Sequence, residues 1–201
     1  DFVPQHAPPD VAREMVSFLA EANQEMQLEK LVGSVNGELG IGITLDMQKT
    51  VNVNPGGTSG LKIPEPGLIV FLKVKDSTLF DLLNQQISTN LGDSGVQKQN
   101  VGDVTLYTMQ IPQNPEISVP LSPTLFQSGQ YMVLTSTVDL AKKTLAVQEE
   151  SEPGLSGTEE FKRLGSGMEL AGNHLLFTSD RVATVIGNTL DRVLETEGDD
   201  F

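Results

Sequence analysis

Gly67-Leu68-Ile69-Val70-Phe71-Leu72-Lys73-Val74, followed at once by Lys75-Asp76-Ser77-Thr78-Leu79-Phe80, decides the class of this fold. The first run is apolar nearly throughout and is introduced by Pro64 and Pro66, which predicts a central strand buried on both faces. Asp76 and Ser77 can each cap a helix, predicted from Thr78 to about Thr89 with Leu79, Phe80, Leu83 and Ile87 facing inward. A strand that hands over to a capped amphipathic helix is the unit to look for elsewhere.

It recurs twice. Tyr131-Met132-Val133-Leu134-Thr135-Ser136 precedes Thr137 and a helix from Val138 to about Gln148. His174-Leu175-Leu176-Phe177-Thr178 precedes Ser179 or Asp180 and a helix running to about Glu195. With a strand near 104–110 counted in, the order from 68 to 178 reads β-α-β-β-α-β, the ingredients of a ferredoxin-like core. The expected class is therefore α+β, with a mixed, mainly antiparallel sheet and helices packed on one face. The three units agree in pattern and not in identity, so burial and efficient capping explain them as well as duplication does.

Upstream, Pro4, Pro8 and Pro9 mark an extended lead-in, and Asp10 caps a helix over about 10–31 whose apolar stripe is Val11, Met15, Phe18, Leu19, Ala22 and Met26. Gly33 to Gly37 breaks it, with Asn36-Gly37 as a turn signal. In Glu38–Asp46 the residues Leu39, Ile41, Ile43 and Leu45 sit two apart, a half-buried strand. Residues 48–66 read as loop, loosest at Asn54–Gly60. Val101–Ile111 alternates as a strand with a Gly102-Asp103 turn near its start. Pro112, Pro115, Pro120 and Pro123 keep 112–123 from being an ordinary central strand. Gly129-Gln130 turns a hairpin between Thr124–Gln127 and Tyr131–Ser136, and Thr158 opens a short helix reaching Leu164. The organisation is a single domain over 1–201: an N-terminal helix at 10–31, a sheet-and-helix core at 38–178, a C-terminal helix at 180–195 and an acidic tail at 196–201.

Composition bounds the chemistry. A chain of 201 residues buries about 70 % of its unfolded surface and needs no metal or disulfide to be stable. Its net charge of −14 repels phosphate backbones and anionic bilayers, so nucleic acid is not expected as a partner. No apolar run approaches the roughly 18 residues of a membrane span, so no membrane insertion is expected within this stretch. The absence of cysteine removes thiol catalysis, thiolate metal sites and disulfide frameworks together.

No catalytic, cofactor-binding or metal-binding residues emerge, and no cofactor is expected. His6 and His174, the two histidines, have no His or Cys neighbour, so a ligand cluster is unsupported. Ser59-Gly60-Leu61-Lys62 has a Ser-x-x-Lys spacing but lies in a Gly-rich loop where no helix can set Lys behind Ser. Gly40-Ile41-Gly42 is a fragment of a phosphate-loop pattern without its third Gly or its Lys, and its glycines read as permitting a bulge or a close backbone approach. Glu149-Glu150 and Glu159-Glu160 read as solvated charge, and Asp180-Arg181 as a helix start.

The chain resembles an uncharacterised family of exported bacterial proteins, a domain of unknown function with repeated strand–cap–helix units. The residues that carry the likeness are "GELGIGITL" within 31–45, "PGLIVFLKVKDSTLFDLL" at 66–83, "YMVLTSTVDLAKKTL" at 131–145, and "PGLSGTEEFKRL" and "NHLLFTSDRV" within 153–185. The resemblance implies an α+β fold and an extracytoplasmic place, periplasmic or in the cell envelope, and brings no catalytic residues. The expectation that follows is a non-catalytic binding or scaffolding module with a protein or small-molecule partner, whose displayed loops at 50–66 and 112–123 are the places to look. Two alternatives stay open: a hydrolase or transferase with dispersed Asp, Glu or His174 groups, and a self-associating structural unit of a longer chain.

Overall fold

The computed structural model describes residues 28–53, 61–111, 121–166 and 175–188. Helix α1 (Leu28–Ser34) leads into β1 (Val35–Val53), and β2 (Leu61–Val74) returns against it. Helix α2 (Thr78–Leu91) carries the chain to β3 (Val96–Val101), from which β4 (Val104–Met109), β5 (Thr124–Ser128) and β6 (Tyr131–Thr135) step back one strand at a time. Helices α3 (Val138–Gln148) and α4 (Glu159–Gly165) follow, and α5 occupies 180–188. The sheet has six strands in the order β1-β2-β6-β5-β4-β3, and every neighbouring pair is antiparallel. The chain is an α+β protein.

Strand parity places the helices. Leu106, Phe126 and Val133 point to one face and form the core with Ala141 and Leu145 of α3. Tyr107 and Leu125 are paired neighbours of opposite parity, so they point to the other face. There Phe80 of α2 meets the Tyr107 ring edge to face, with centroids 5.6 Å apart. The helices thus divide between the two faces, which corrects the expectation that they pack on one. The cause is connectivity: α2 crosses one face to reach the far edge at β3, whereas α3 folds back from β6 onto the other.

The ferredoxin-like order is also corrected. Two hairpins, β3–β4 and β5–β6, stand between α2 and α3, and residues 175–179 adopt no strand. The strand that no expectation named is β3, an edge strand whose middle residues Gln97, Lys98, Gln99 and Asn100 are all exposed. A strand with no buried side chains in its middle has no apolar alternation to read.

The expected loop at 48–66 shrinks, because β1 runs on to Val53 and β2 begins at Leu61. Prolines are tolerated there for a specific reason. The Leu68 carbonyl accepts from Ser136 N–H at 2.9 Å and Val74 N–H donates to the Gln130 carbonyl at 2.7 Å, so even-numbered residues of β2 turn their backbone toward β6. The β6 ladder begins only at Ile69. Pro64 and Pro66 therefore lack an N–H on an edge where no β6 residue waits for one.

Other expectations hold locally. Thr137 Oγ1 accepts from Leu140 N–H and Thr158 Oγ1 from Phe161 N–H, each at 3.2 Å. Asp76 Oδ1 accepts from Thr78 N–H at 2.9 Å, so Asp76 rather than Ser77 makes the side-chain cap of α2. Gly102 and Gly129 take φ of 57° and 56° in two-residue hairpin turns. Asn36-Gly37 is a bulge inside β1 rather than a break before it, with Gly37 at φ 82° and a register shift between Val35 and Leu39. The expected helix at 10–31 lies outside the described residues except for its end in α1. His6, His174, most of 112–123, the end of the 180–195 helix and the tail at 196–201 lie outside them too.

Candidate functional site

Among the described residues, helix α2 covers the half of its face made by β3, β4 and β5 and leaves Leu39, Ile41 and Ile43 of β1 and Leu68 of β2 exposed on the other half. Leu39, Ile41 and Ile43 stand in a row there at 65 %, 67 % and 71 % exposure. They pair with Leu72, Val70 and Leu68, and Val70 pairs in turn with Leu134. Paired residues share a face, so these side chains form one apolar strip across three strands. Isolated exposed aliphatics need no explanation, whereas a contiguous row of them on a regular strand is uncommon on a monomeric protein. The central strand is thus not buried on both faces, because Leu68 and Phe71 are exposed, one on each side.

Glycine makes the other side of that row possible. A Cβ built on Gly40 would collide with the tip of the Phe71 ring at Cζ and both Cε atoms, and one on Gly42 would lie 2.7 Å from Ile69 Cγ2. Gly40-Ile41-Gly42 is therefore a close-approach device within a strand, as its spacing suggested, and forms no phosphate loop.

At the far end of β1 a charged cleft opens beside the N-terminus of α3. Lys49 Nζ lies 2.8 Å from Asp139 Oδ2, and Lys143 Nζ lies 3.1 Å from Asp46 Oδ2. Asp46 also accepts from Gln48 N–H at 3.0 Å, where β1 shifts register before Thr50. Asp46 stands opposite Glu65 in the ladder. Two like charges so placed are unfavourable, and the two lysines beside them compensate. The Gln48 N–H and then Lys143 hold the Asp46 carboxyl below the usual aspartate range, and Lys49 does the same for Asp139. Asp139 in turn holds the Lys49 amine protonated to higher pH. A general acid needs a raised carboxyl pKa and an amine nucleophile a lowered one, and these groups move the opposite way. The cleft is an ionic latch between β1 and α3.

The remaining singled-out residues come to structural ends. Lys62 pairs with Asn52 at the start of β2 and sits on no helix. Glu160 Oε1 accepts from Asp180 N–H at 2.6 Å, Arg163 pairs with Asp180, and Ser179 Oγ accepts from Val182 N–H at 3.4 Å, so Glu160, Arg163 and Asp180 fasten α4 to the start of α5, while Glu159 pairs with Lys162 within α4. Beside them Phe161 and Phe177 stack tilted at 5.3 Å, lining a small apolar hollow with Leu164, Leu175 and Leu176. Among the described residues no group of His, Asp and Glu is placed to hold a metal ion, and no helix is long and apolar enough to cross a membrane. Nothing local in the sequence signals the latch, because Lys49 and Asp139 are 90 residues apart and Asp46 and Lys143 are 97.

Compared with known proteins, the chain matches no protein-family model, no curated protein and no solved structure.

Proposed function

We propose that this protein is a non-catalytic binding or scaffolding module that engages a macromolecular partner through the open strip of β1 and β2. One observation carries the reading: Leu39, Ile41 and Ile43 are each about two-thirds exposed in consecutive outward positions of a regular strand. Natural proteins seldom leave such a row uncovered, because it promotes adventitious association. An extracytoplasmic place at the bacterial envelope belongs to the same proposal, and its support is the likeness of the four sequence segments to exported proteins. A hydrolase or transferase would need a group free to exchange a proton, whereas the cleft carboxylates Asp46 and Asp139 are each engaged by a lysine.

The test is selection of peptide ligands from a displayed library against the whole chain. Each ligand is then titrated against a variant carrying Leu39→Ser, Ile41→Ser and Ile43→Ser. The reading expects ligands whose affinity falls at least tenfold on the variant. Ligands indifferent to the three changes, or none at all, would remove it.

A further inference from the structure

The strip sits on an edge strand, and the direction of that strand's backbone carries the argument further. Odd-numbered residues of β2 turn their backbone toward β1, where Ile69 and Phe71 oppose Gly42 and Gly40. In β1, then, Gly40 and Gly42 spend their N–H and C=O groups inward. Leu39, Ile41 and Ile43 aim theirs outward, where no strand pairs with β1 among the described residues. The three residues with the most exposed aliphatic side chains of β1 are also those with open backbone groups.

The two edges of the sheet differ. The β3 edge is guarded by Gln97, Lys98, Gln99 and Asn100, all exposed. The β1 edge holds no charge and no proline from Leu39 to Leu45. Charge, proline or a cover on an edge strand is how proteins prevent strand addition, and β1 has neither of the first two along this stretch.

We propose that two copies of this chain join through β1, antiparallel, about a two-fold axis at Ile41. The register follows from the sequence. With Ile41 opposite Ile41 of the second copy, Leu39 falls opposite Ile43 and Ile43 opposite Leu39, so all three form hydrogen-bonded apolar pairs. Glu38 falls opposite Thr44 and Asp46 opposite Asn36, so no like charges meet. A two-fold interface has to be complementary to itself, and this segment is. The two strips become one platform across β2-β1-β1-β2. The inference rests on reading β1 as a binding strand and names the second copy as its occupant.

The experiment combines sedimentation equilibrium of the full chain with single-cysteine cross-linking, which a cysteine-free protein allows without background. At the two-fold, Cα atoms of opposed residues lie about 5.5 Å apart, within disulfide range. Ile41→Cys is expected to oxidise to a covalent dimer. Leu39→Cys is not, because the two copies of residue 39 are then four residues out of register. Ile41→Lys, which opposes two ammonium groups on the axis, is expected to give a monomer that melts where the wild type does once diluted below its dimerisation constant. Since each copy carries −14, added salt should tighten the dimer.

A wild-type monomer whose Ile41→Cys variant forms no cross-link overturns the inference, including the case in which residues 1–27 of the same chain shield β1. A dimer that cross-links equally at 39 and 41, or at neither, also overturns it, since another surface then holds the copies together. Peptide ligands lost on the Ser variant of a monomeric wild type would overturn the pairing and leave the binding surface standing. A dimer cross-linked through Ile41→Cys, without peptide ligands, would uphold the pairing alone.

Discussion

Phe71 lays its ring over the backbone of Gly40, in the space that any side chain at residue 40 would occupy. The ring also meets Tyr131 edge to face, with centroids 6.2 Å apart, so it cannot swing aside without leaving that neighbour. Gly40→Ala should therefore lower stability by about 1–3 kcal/mol through overpacking. Gly33→Ala is the matched control: it lies in α1 with no atom within 4 Å of the added carbon, and should be neutral or stabilising by roughly 0.5–1 kcal/mol. Thermal melts of both variants check the contrast, and equal effects would contradict it.

Beneath α3 three buried threonines tie β4, β5 and β6 together. Thr108 and Thr124 share a hydroxyl contact of 3.1 Å, Thr124 donates to the Ser122 carbonyl at 2.9 Å and Thr135 to the Thr137 carbonyl at 2.9 Å. Thr124→Val keeps the shape and strands the Thr108 hydroxyl and the Ser122 carbonyl. The expected loss is about 1–3 kcal/mol in denaturant unfolding. A neutral result would mean that water reaches these groups.

Leu145 and Leu39 are the same residue type in opposite situations. Leu145 is buried in the α3 core, so Leu145→Ala should cost about 2–5 kcal/mol from lost burial and the cavity left behind. Leu39→Ala on the open strip should stay within about 0.5 kcal/mol. Similar losses at both, measured on a monomeric background such as Ile41→Lys, would show that the strip is covered by the chain itself.

Acid should loosen the latch before base does. Asp46 and Asp139 have pKa values depressed below the ordinary 3.8, and Lys73 with Tyr131 depresses Glu38 below 4.5. Their contributions are complete above those ordinary values and disappear as pH falls through the lower folded ones. Lys49 and Lys73 are raised above 10.5 by Asp139 and Glu38, so their contributions are complete below 10.5 and disappear as pH rises through the higher folded values. These five groups add no pH dependence to the melting temperature from about pH 5 to pH 10. It should fall on the acid side, less steeply at high salt because the pairs are exposed. Asp139→Asn should flatten part of the acid limb, and an unchanged limb would place the titration elsewhere.

How much of this was legible depended on whether the cause was local. The caps at Asp76, Thr137 and Thr158 and the turns at Gly102 and Gly129 act within three residues, and the sequence carries them plainly. The apolar alternation of Leu39 to Leu45 placed β1 but not its full length, because Lys49 to Val53 follow a register shift that breaks the period. It also could not say which apolar side chains would be covered, since that depends on where α2 crosses the sheet. β3 stayed hidden because its polar middle faces solvent, and the latch because its members meet only after α3 docks on β1. The same distance separates the open strip from any motif: Leu39, Ile41 and Ile43 look like core until the covering helix turns out to lie over the other strands.

The crossover of α2 divides the sheet by its order of assembly. β1 and β2 form one hairpin, and β3 to β6 form a meander of sequence neighbours closed by α3, so each half gathers contacts that are local in the chain. The halves share one strand ladder, Ile69 to Lys73 against Tyr131 to Thr135, beside the exposed ion pairs of the latch. That five-residue seam closes the longest loop in the sheet, with an entropic cost set by the 62-residue separation of Phe71 and Val133. It is the joint expected to form last and open first, and amide exchange at Val70 and Leu72 should outrun exchange at Leu106 and Phe126. A protein built this way parts along one line into two pieces that each keep their own hydrogen bonding, and the piece released carries the β1 edge with it.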